Sequence, residues 1–266
     1  MTNDTIIVKS LNISYLISGD LESKSKVLIL HGWNQTGSTS WQTFLEQNQD
    51  QLIIAVDLPC FGASDCPNTT WNTQDYVNFC LDLVDNLDQK YKLQNSKWNL
   101  VGHSFGGAIA SLLSLQNPNK INSLSLVAPA LIRRKMAKKQ QLIQKITKLF
   151  NLVGSLPILN LLKPVATKIW YKIIGSPDYN LTGGVKRQIM QTILKDDLTS
   201  QLKPVIVPIL LVWGTADTYT PFSDFSTVKN LLKPTKTIIY KDYKHGIHIQ
   251  NSSGLYHDIS NFIKNL

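Results

Sequence analysis

The sequence predicts an α/β fold: a mostly parallel, doubly wound sheet with a helical cap inserted between two of its strands. Short continuous apolar runs, such as Val27-Leu28-Ile29-Leu30 and Leu52-Ile53-Ile54-Ala55-Val56, read as strands covered on both faces. Segments of helical period alternate with them, as a parallel sheet requires. The alternation stops after Ala130 and resumes near Ile209. At 266 residues and 43% hydrophobic content the chain can bury a large core, so one domain carrying an insertion is expected rather than two independent domains. The expected division is a core of 1–130 and 204–266, with a cap over 131–203.

Taken in order, Thr5 to Lys9 and Leu11 to Ser18 alternate partially between apolar and polar residues, as a half-buried antiparallel pair at a sheet edge should. The strand Val27 to Leu30 ends at His31-Gly32-Trp33, where a loop begins. Trp41 to Gln49 reads as a short helix. Leu52 to Val56 is the next buried strand, closing on the breaker-rich loop Asp57-Leu58-Pro59-Cys60-Phe61-Gly62-Ala63-Ser64. From Asn72 to Asp88, Tyr76, Phe79, Cys80, Leu83, Val84 and Leu87 fall at three- and four-residue steps and give an amphipathic helix. Trp98 to Val101 is a strand, a helix starts after Ser104, Asn117-Pro118 stops it, and Ile121 to Ala128 is again a strand. Only helical patterns follow: Arg133 to Phe150, Pro157 to Leu162, Pro164 to Ile174 and Val185 to Leu194. Ile209 to Trp213 and Thr237 to Tyr240 resume the sheet, and Ser253 to Leu266 closes the chain as a helix. An all-helical block between two strands is expected to sit over the strand ends as a lid.

The chemistry centres on Gly102-His103-Ser104-Phe105-Gly106. A serine on a sharp strand-to-helix turn is forced into a strained backbone conformation, and residues without a Cβ two positions either side let strand and helix approach. A serine hydroxyl needs a base within hydrogen-bond reach, itself oriented by an acid. Groups beyond the carboxyl ends of parallel strands converge on one rim. The loop after Trp213 supplies Gly214-Thr215-Ala216-Asp217, and the loop after Tyr240 supplies His245, giving the order Ser, Asp, His. No acid follows the Ile121 to Ala128 strand, where Val127-Ala128-Pro129-Ala130 stands, and that favours Asp217. His31 is read as shaping its loop, His103 as pointing away from Ser104, and His248 and His257 as structural or solvated. Asp57, Asp65 and Asp242 are read as loop or capping residues.

Together His31-Gly32-Trp33, Asp57-Leu58-Pro59 with Phe61-Gly62-Ala63-Ser64, Gly102-His103-Ser104-Phe105-Gly106-Gly107, Trp213-Gly214-Thr215-Ala216-Asp217 with Pro221, and His245-Gly246-Ile247-His248 resemble the α/β-hydrolase fold superfamily. The match is to its lidded serine esterase, lipase and carbon–carbon hydrolase branch, and it spans nearly the whole chain apart from the lid. The resemblance implies Ser104 as nucleophile, His245 as base and then acid, and Asp217 as the orienting carboxylate. It places the oxyanion hole at the backbone N–H groups of Trp33 and Phe105. It also implies ester cleavage through an acyl-enzyme without cofactor or metal. Carbon–carbon or amide hydrolysis by the same residues is the alternative, and a binding protein on a hydrolase scaffold is a third reading. Serine rather than aspartate at the elbow argues against dehalogenase and epoxide hydrolase chemistry. Two departures stand out: Cys60 replaces a usual glycine, and Gln250-Asn251-Ser252 replaces the common acidic residue and proline.

The formal charge of +9 is unevenly spread. Between Leu131 and Lys203 fourteen Lys and Arg face Asp178, Asp196 and Asp197, so the whole surplus lies in the cap. Two readings stay open: a solvated Lys-rich face over a buried apolar one, or a basic surface weakly attracted to anionic membranes. The expected partner is a small ester with an apolar acyl group, and no nucleic acid is expected. Oligomeric state is left open by the sequence. The opening Met1-Thr2-Asn3-Asp4 lacks the basic and apolar regions of a signal peptide, and no apolar run reaches bilayer-spanning length. Cys60, Cys66 and Cys80 make an odd number without paired-ligand spacing, which argues against a disulfide framework and a zinc site. Free thiols and a cytoplasmic location are the resulting expectations.

Overall fold

The computed structural model describes residues 1–48, 50–93, 97–133, 184–203 and 206–266. The cap helices predicted between Arg133 and Ile174 fall, beyond Arg133, outside the described residues. The chain divides into two units, Met1–Arg133 with Ile189–Leu266, and Arg134–Gln188.

In the first unit the strands are β1 (Thr2–Val8), β2 (Leu11–Ser18), β3 (Lys26–Leu30), β4 (Leu52–Val56), β5 (Trp98–His103), β6 (Ile121–Val127), β7 (Ile209–Gly214) and β8 (Lys236–Tyr240). They form one sheet in the order β1-β2-β4-β3-β5-β6-β7-β8. The β1/β2 and β2/β4 pairs are antiparallel and every other pair is parallel. The chain leaves β3 towards β4 on one side and returns to β5 on the other, so the strand order reverses at β3. In such sheets the crevice outside the carboxyl ends at this reversal is where ligands bind.

The helices are α1 (Gly37–Ser40), α2 (Gln42–Glu46), α3 (Thr73–Tyr91), α4 (Phe105–Gln116), α5 (Gly184–Ile193), α6 (Phe225–Leu232), α7 (Ile247–Gln250) and α8 (Ser252–Lys264). Asn72 caps α3 reciprocally with Asp75, each side chain meeting the other's backbone N–H. Strand alternation feeds two layers. Val27 and Ile29 face a cluster with Trp41, Phe44, Ile53, Ala55, Val101, Val212, Tyr256, Ile259 and Phe262, in which α2 packs against α8. Helices α3 and α4 pack against each other, and α4 also lies on β3, β5 and β6. β3, β4, β5 and β7 are buried along their whole length, as strands covered on both faces are. Among the described residues no helix is long and apolar enough to cross a membrane.

The cysteine expectation is corrected. Cys60 and Cys66 form a disulfide, with Cα atoms 4.2 Å apart, and Cys80 alone is free and buried. The stretch from Cys60 to Cys66 folds back on itself because Cys60 takes a positive φ of 74° and its N–H donates to the Asp65 carbonyl at 3.0 Å. That turn brings together two thiols whose spacing matches no metal or framework pattern. Disulfides persist in oxidising surroundings and are rare in the cytosol, so the cysteines no longer favour a cytoplasmic location. Alkylation of the denatured, unreduced protein is expected to label Cys80 alone, and mass spectrometry reads the count. Three labels would contradict the pairing.

Two histidines are built into the interior. His248, on α7, stacks on Trp41 with ring centroids 4.7 Å apart, and among the described residues neither of its ring nitrogens has a hydrogen-bond partner. Burial pushes its pKa down to about 3, helped by the neighbouring His245 and His31. Burial likewise holds fully enclosed His103 well below the ordinary histidine value, with His248 and His245 adding to the effect. Both rings are neutral in the native state, while in the unfolded chain they gain protons below about pH 6.5. Stability is therefore expected to fall as pH drops from about 6.5 towards 3, by up to about 1.4 kcal/mol per pH unit for each ring. Urea midpoints measured at pH 7, 6, 5 and 4 should decline more gently for His248→Phe, and parallel declines would contradict this account.

Candidate active site

Ser104 joins β5 to α4 with φ 52° and ψ −113°, a left-handed φ that costs a residue with a Cβ. Its backbone is held at both ends. The N–H donates to the Val127 carbonyl at 3.1 Å, and its own carbonyl accepts from Ala130 at 2.9 Å and Ala108 at 3.2 Å. The glycines either side are needed for contact. A Cβ on Gly102 would stand 2.6 Å from the Gly106 carbonyl oxygen, and one on Gly106 would stand 2.0 Å from that of Leu30. Because α4 lies this close to β3, the Gly106 N–H donates to the His31 carbonyl at 3.1 Å.

The two loops after β7 and β8 meet. Thr215 N–H donates to the Tyr240 carbonyl at 3.0 Å and Ala216 N–H to that of Tyr243 at 3.0 Å. This brings Asp217 to His245, whose Nδ1–H donates to Asp217 Oδ2 at 2.8 Å. The Asp217 side chain is fully buried and that of His245 is 17% exposed. Oδ1 of Asp217 accepts from the N–H groups of Tyr219 at 2.8 Å and Thr220 at 3.1 Å. Thr220 Oγ1 donates to Asp217 Oδ2 at 2.9 Å and lies 3.3 Å from His245 Nδ1. The carboxylate is thus locked in place before it orients the ring. With Nδ1 committed to Asp217, the Nε2 side of His245 is the side left for proton transfer.

Trp33 follows Gly32 in a turn closed by the Gln35 N–H on the Gly32 carbonyl at 3.3 Å. Phe105 is the first residue of α4, where the N–H has no intrahelical partner. The rings of Trp33 and Phe105 lie 5.8 Å apart, and Phe61 packs edge-on against Trp33 at 4.9 Å. Among the described residues Ser104 Oγ makes no hydrogen bond to His245; the two are joined instead through His103. That residue adjoins Ser104 in sequence, and its ring centroid lies 4.6 Å from that of His245.

The remaining candidates have other partners. His31 Nε2 accepts from the Leu58 N–H at 3.0 Å, which leaves Nδ1–H to donate to the Gly32 carbonyl at 2.7 Å. Asp57 accepts from Ser38 N–H and Oγ and from Ala63 N–H. Asp65 accepts from Asn12 N–H, Asp242 takes a positive φ in its turn, and His257 is exposed on α8. Sequence reasoning missed Thr220 and Gln35. Pro221 was part of the recognised motif, so the hydroxyl residue before it was the one available signal for Thr220. Among the described residues no group of three or more His, Cys, Asp or Glu could hold a metal ion.

The family model described as the alpha/beta hydrolase fold matches residues 26–252. A pimeloyl-[acyl-carrier protein] methyl ester esterase of Nitrosomonas europaea is 25% identical over 82% of this chain and 88% of its own. The abhydrolase domain-containing protein abhd-5.2 of Caenorhabditis elegans is 31% identical over 110 residues, 41% of this chain but only 24% of that relative's length. A solved structure of a membrane phospholipase A, a bacterial virulence factor, aligns with 100% of this chain and 87% of its own at a TM-score of 0.72 and 21% identity. The region matched by the family model runs from the first residue of β3 to the first of α8, and the chain belongs to the α/β-hydrolase fold family.

Proposed function

We propose that this protein is a serine hydrolase of carboxylic esters that works through an acyl-enzyme. The observation that carries the reading is the Asp217–His245 contact of 2.8 Å at the sheet rim that also holds the strained Ser104. In the proposed reaction Ser104 Oγ attacks the ester carbonyl carbon while His245 Nε2 takes the hydroxyl proton. The N–H groups of Trp33 and Phe105 receive the oxyanion of the tetrahedral intermediate. His245 then gives its proton to the departing alkoxide, and the acyl group stays on Ser104. Water, deprotonated by the same imidazole, repeats the sequence and releases the acid. Asp217 holds the ring with Nδ1–H towards itself, which leaves Nε2 for the exchange with the serine.

Two further facts support esters. Trp33, Phe61 and Phe105 place aromatic surface beside the proposed oxyanion donors, which suits an apolar acyl group. The similarity to a methyl ester esterase extends over 82% of this chain. Turnover of a p-nitrophenyl ester series tests the proposal. Ser104→Ala is expected to lower kcat by on the order of 10⁴ to 10⁶ while the protein stays folded, and Asp217→Asn by about 10⁴. A fluorophosphonate should label the wild type at Ser104 and leave Ser104→Ala unlabelled. Unchanged ester turnover by Ser104→Ala would falsify the assignment.

A further inference from the structure

His103 is the last residue of β5, fully buried, and has no place in the proton transfers above. Its ring lies between those of His245 and His248, with centroids 4.6 and 4.3 Å away. Both ring nitrogens face oxygen atoms: Nε2 the His245 backbone carbonyl at 2.9 Å, and Nδ1 the Gln35 side-chain amide oxygen at 3.0 Å. The same Gln35 oxygen accepts the Gly32 N–H at 3.1 Å. A buried neutral ring has one proton for two such contacts. The Gln35 oxygen is already supplied by the Gly32 N–H, so the ring's one proton is assigned to Nε2, where it serves the His245 carbonyl.

The consequence concerns the base. Tyr243 is tied to the Asp217 loop, Lys244 N–H donates to Gln250 Oε1 at 3.1 Å, and the Gly246 carbonyl accepts from Ile249 and Gln250. His245 itself is tied by its carbonyl to the strand that carries the nucleophile. We propose that His103 is a positioning residue for the esterase reaction inferred above: its Nε2–H holds the His245 carbonyl and so sets the catalytic imidazole relative to Ser104. Through Gln35 the same ring reaches Gly32, next to the oxyanion residue Trp33. One side chain thereby spans the base, the nucleophile strand and the oxyanion turn.

Glutamine carries an amide N–H at about the reach of histidine Nε2, and methionine has nearly the same length without a donor. His103→Met is expected to lower kcat about 10- to 100-fold with little change in KM, since small displacements of reacting groups act on the chemical step. His103→Gln should recover most of that loss at an unchanged Tm. Equal losses in the two variants, or a rise in KM at constant kcat, would show that the ring merely fills space and would overturn the proposal. Gln35→Leu offers a second approach that leaves His103 in place. It should lower kcat less, and the double variant His103→Met, Gln35→Leu should be no slower than His103→Met, because both act through one network. Losses that multiply in the double variant would overturn the proposal by this route. Ester turnover retained by Ser104→Ala would instead sink the underlying reading, so the two failures are distinguishable.

Discussion

The rim rests on how closely α4 is pressed against β3. With the Gly106 N–H on the His31 carbonyl and no room for a Cβ beside Leu30, the helix can start only where it does. That position forces Ser104 into a positive φ and leaves the first N–H groups of α4 facing the end of β3. The strain at one residue is offset by the packing of a whole helix on three strands. The neighbouring loops then need only short tethers, because the parallel sheet already delivers their first residues to the same edge.

Around Asp217 the structure shows how a carboxylate is prepared to orient a ring. Two backbone N–H groups and the Thr220 hydroxyl hold the carboxylate, and the Thr220 hydroxyl also comes within reach of the His245 ring. Burial makes each of these contacts matter more, since an unpaired charged oxygen in the interior is costly. The Asp217 side chain is fully enclosed, while that of His245 keeps 17% of its surface exposed.

Much of this was legible in the sequence. Strands covered on both faces leave continuous apolar runs and half-buried ones alternate; β4 falls where the first pattern puts it and β2 where the second does, with the others within a few residues. That Asp217 and His245 meet could be expected because topology sends strand ends to one edge. What was not legible depends on folded geometry. Cys60 and Cys66 pair because a local turn folds their loop, a fact no spacing rule encodes. Gln35 and Thr220 are residue types common in any loop. His103 acts on a backbone carbonyl, which every residue has and no sequence pattern marks.

One feature of the core also bears on how such a chain diversifies. Arg133, where the first unit is interrupted, donates from Nε to the Asp196 carbonyl, and the carboxylate of Asp196 receives the N–H and hydroxyl of Thr73 at the start of α3. The two ends of the interruption are therefore stapled together by the scaffold itself. Closing a long segment between fixed ends adds little entropy cost for each residue gained or lost. A chain segment held between ends tethered in this way can change in length over generations without loosening the scaffold that holds those ends.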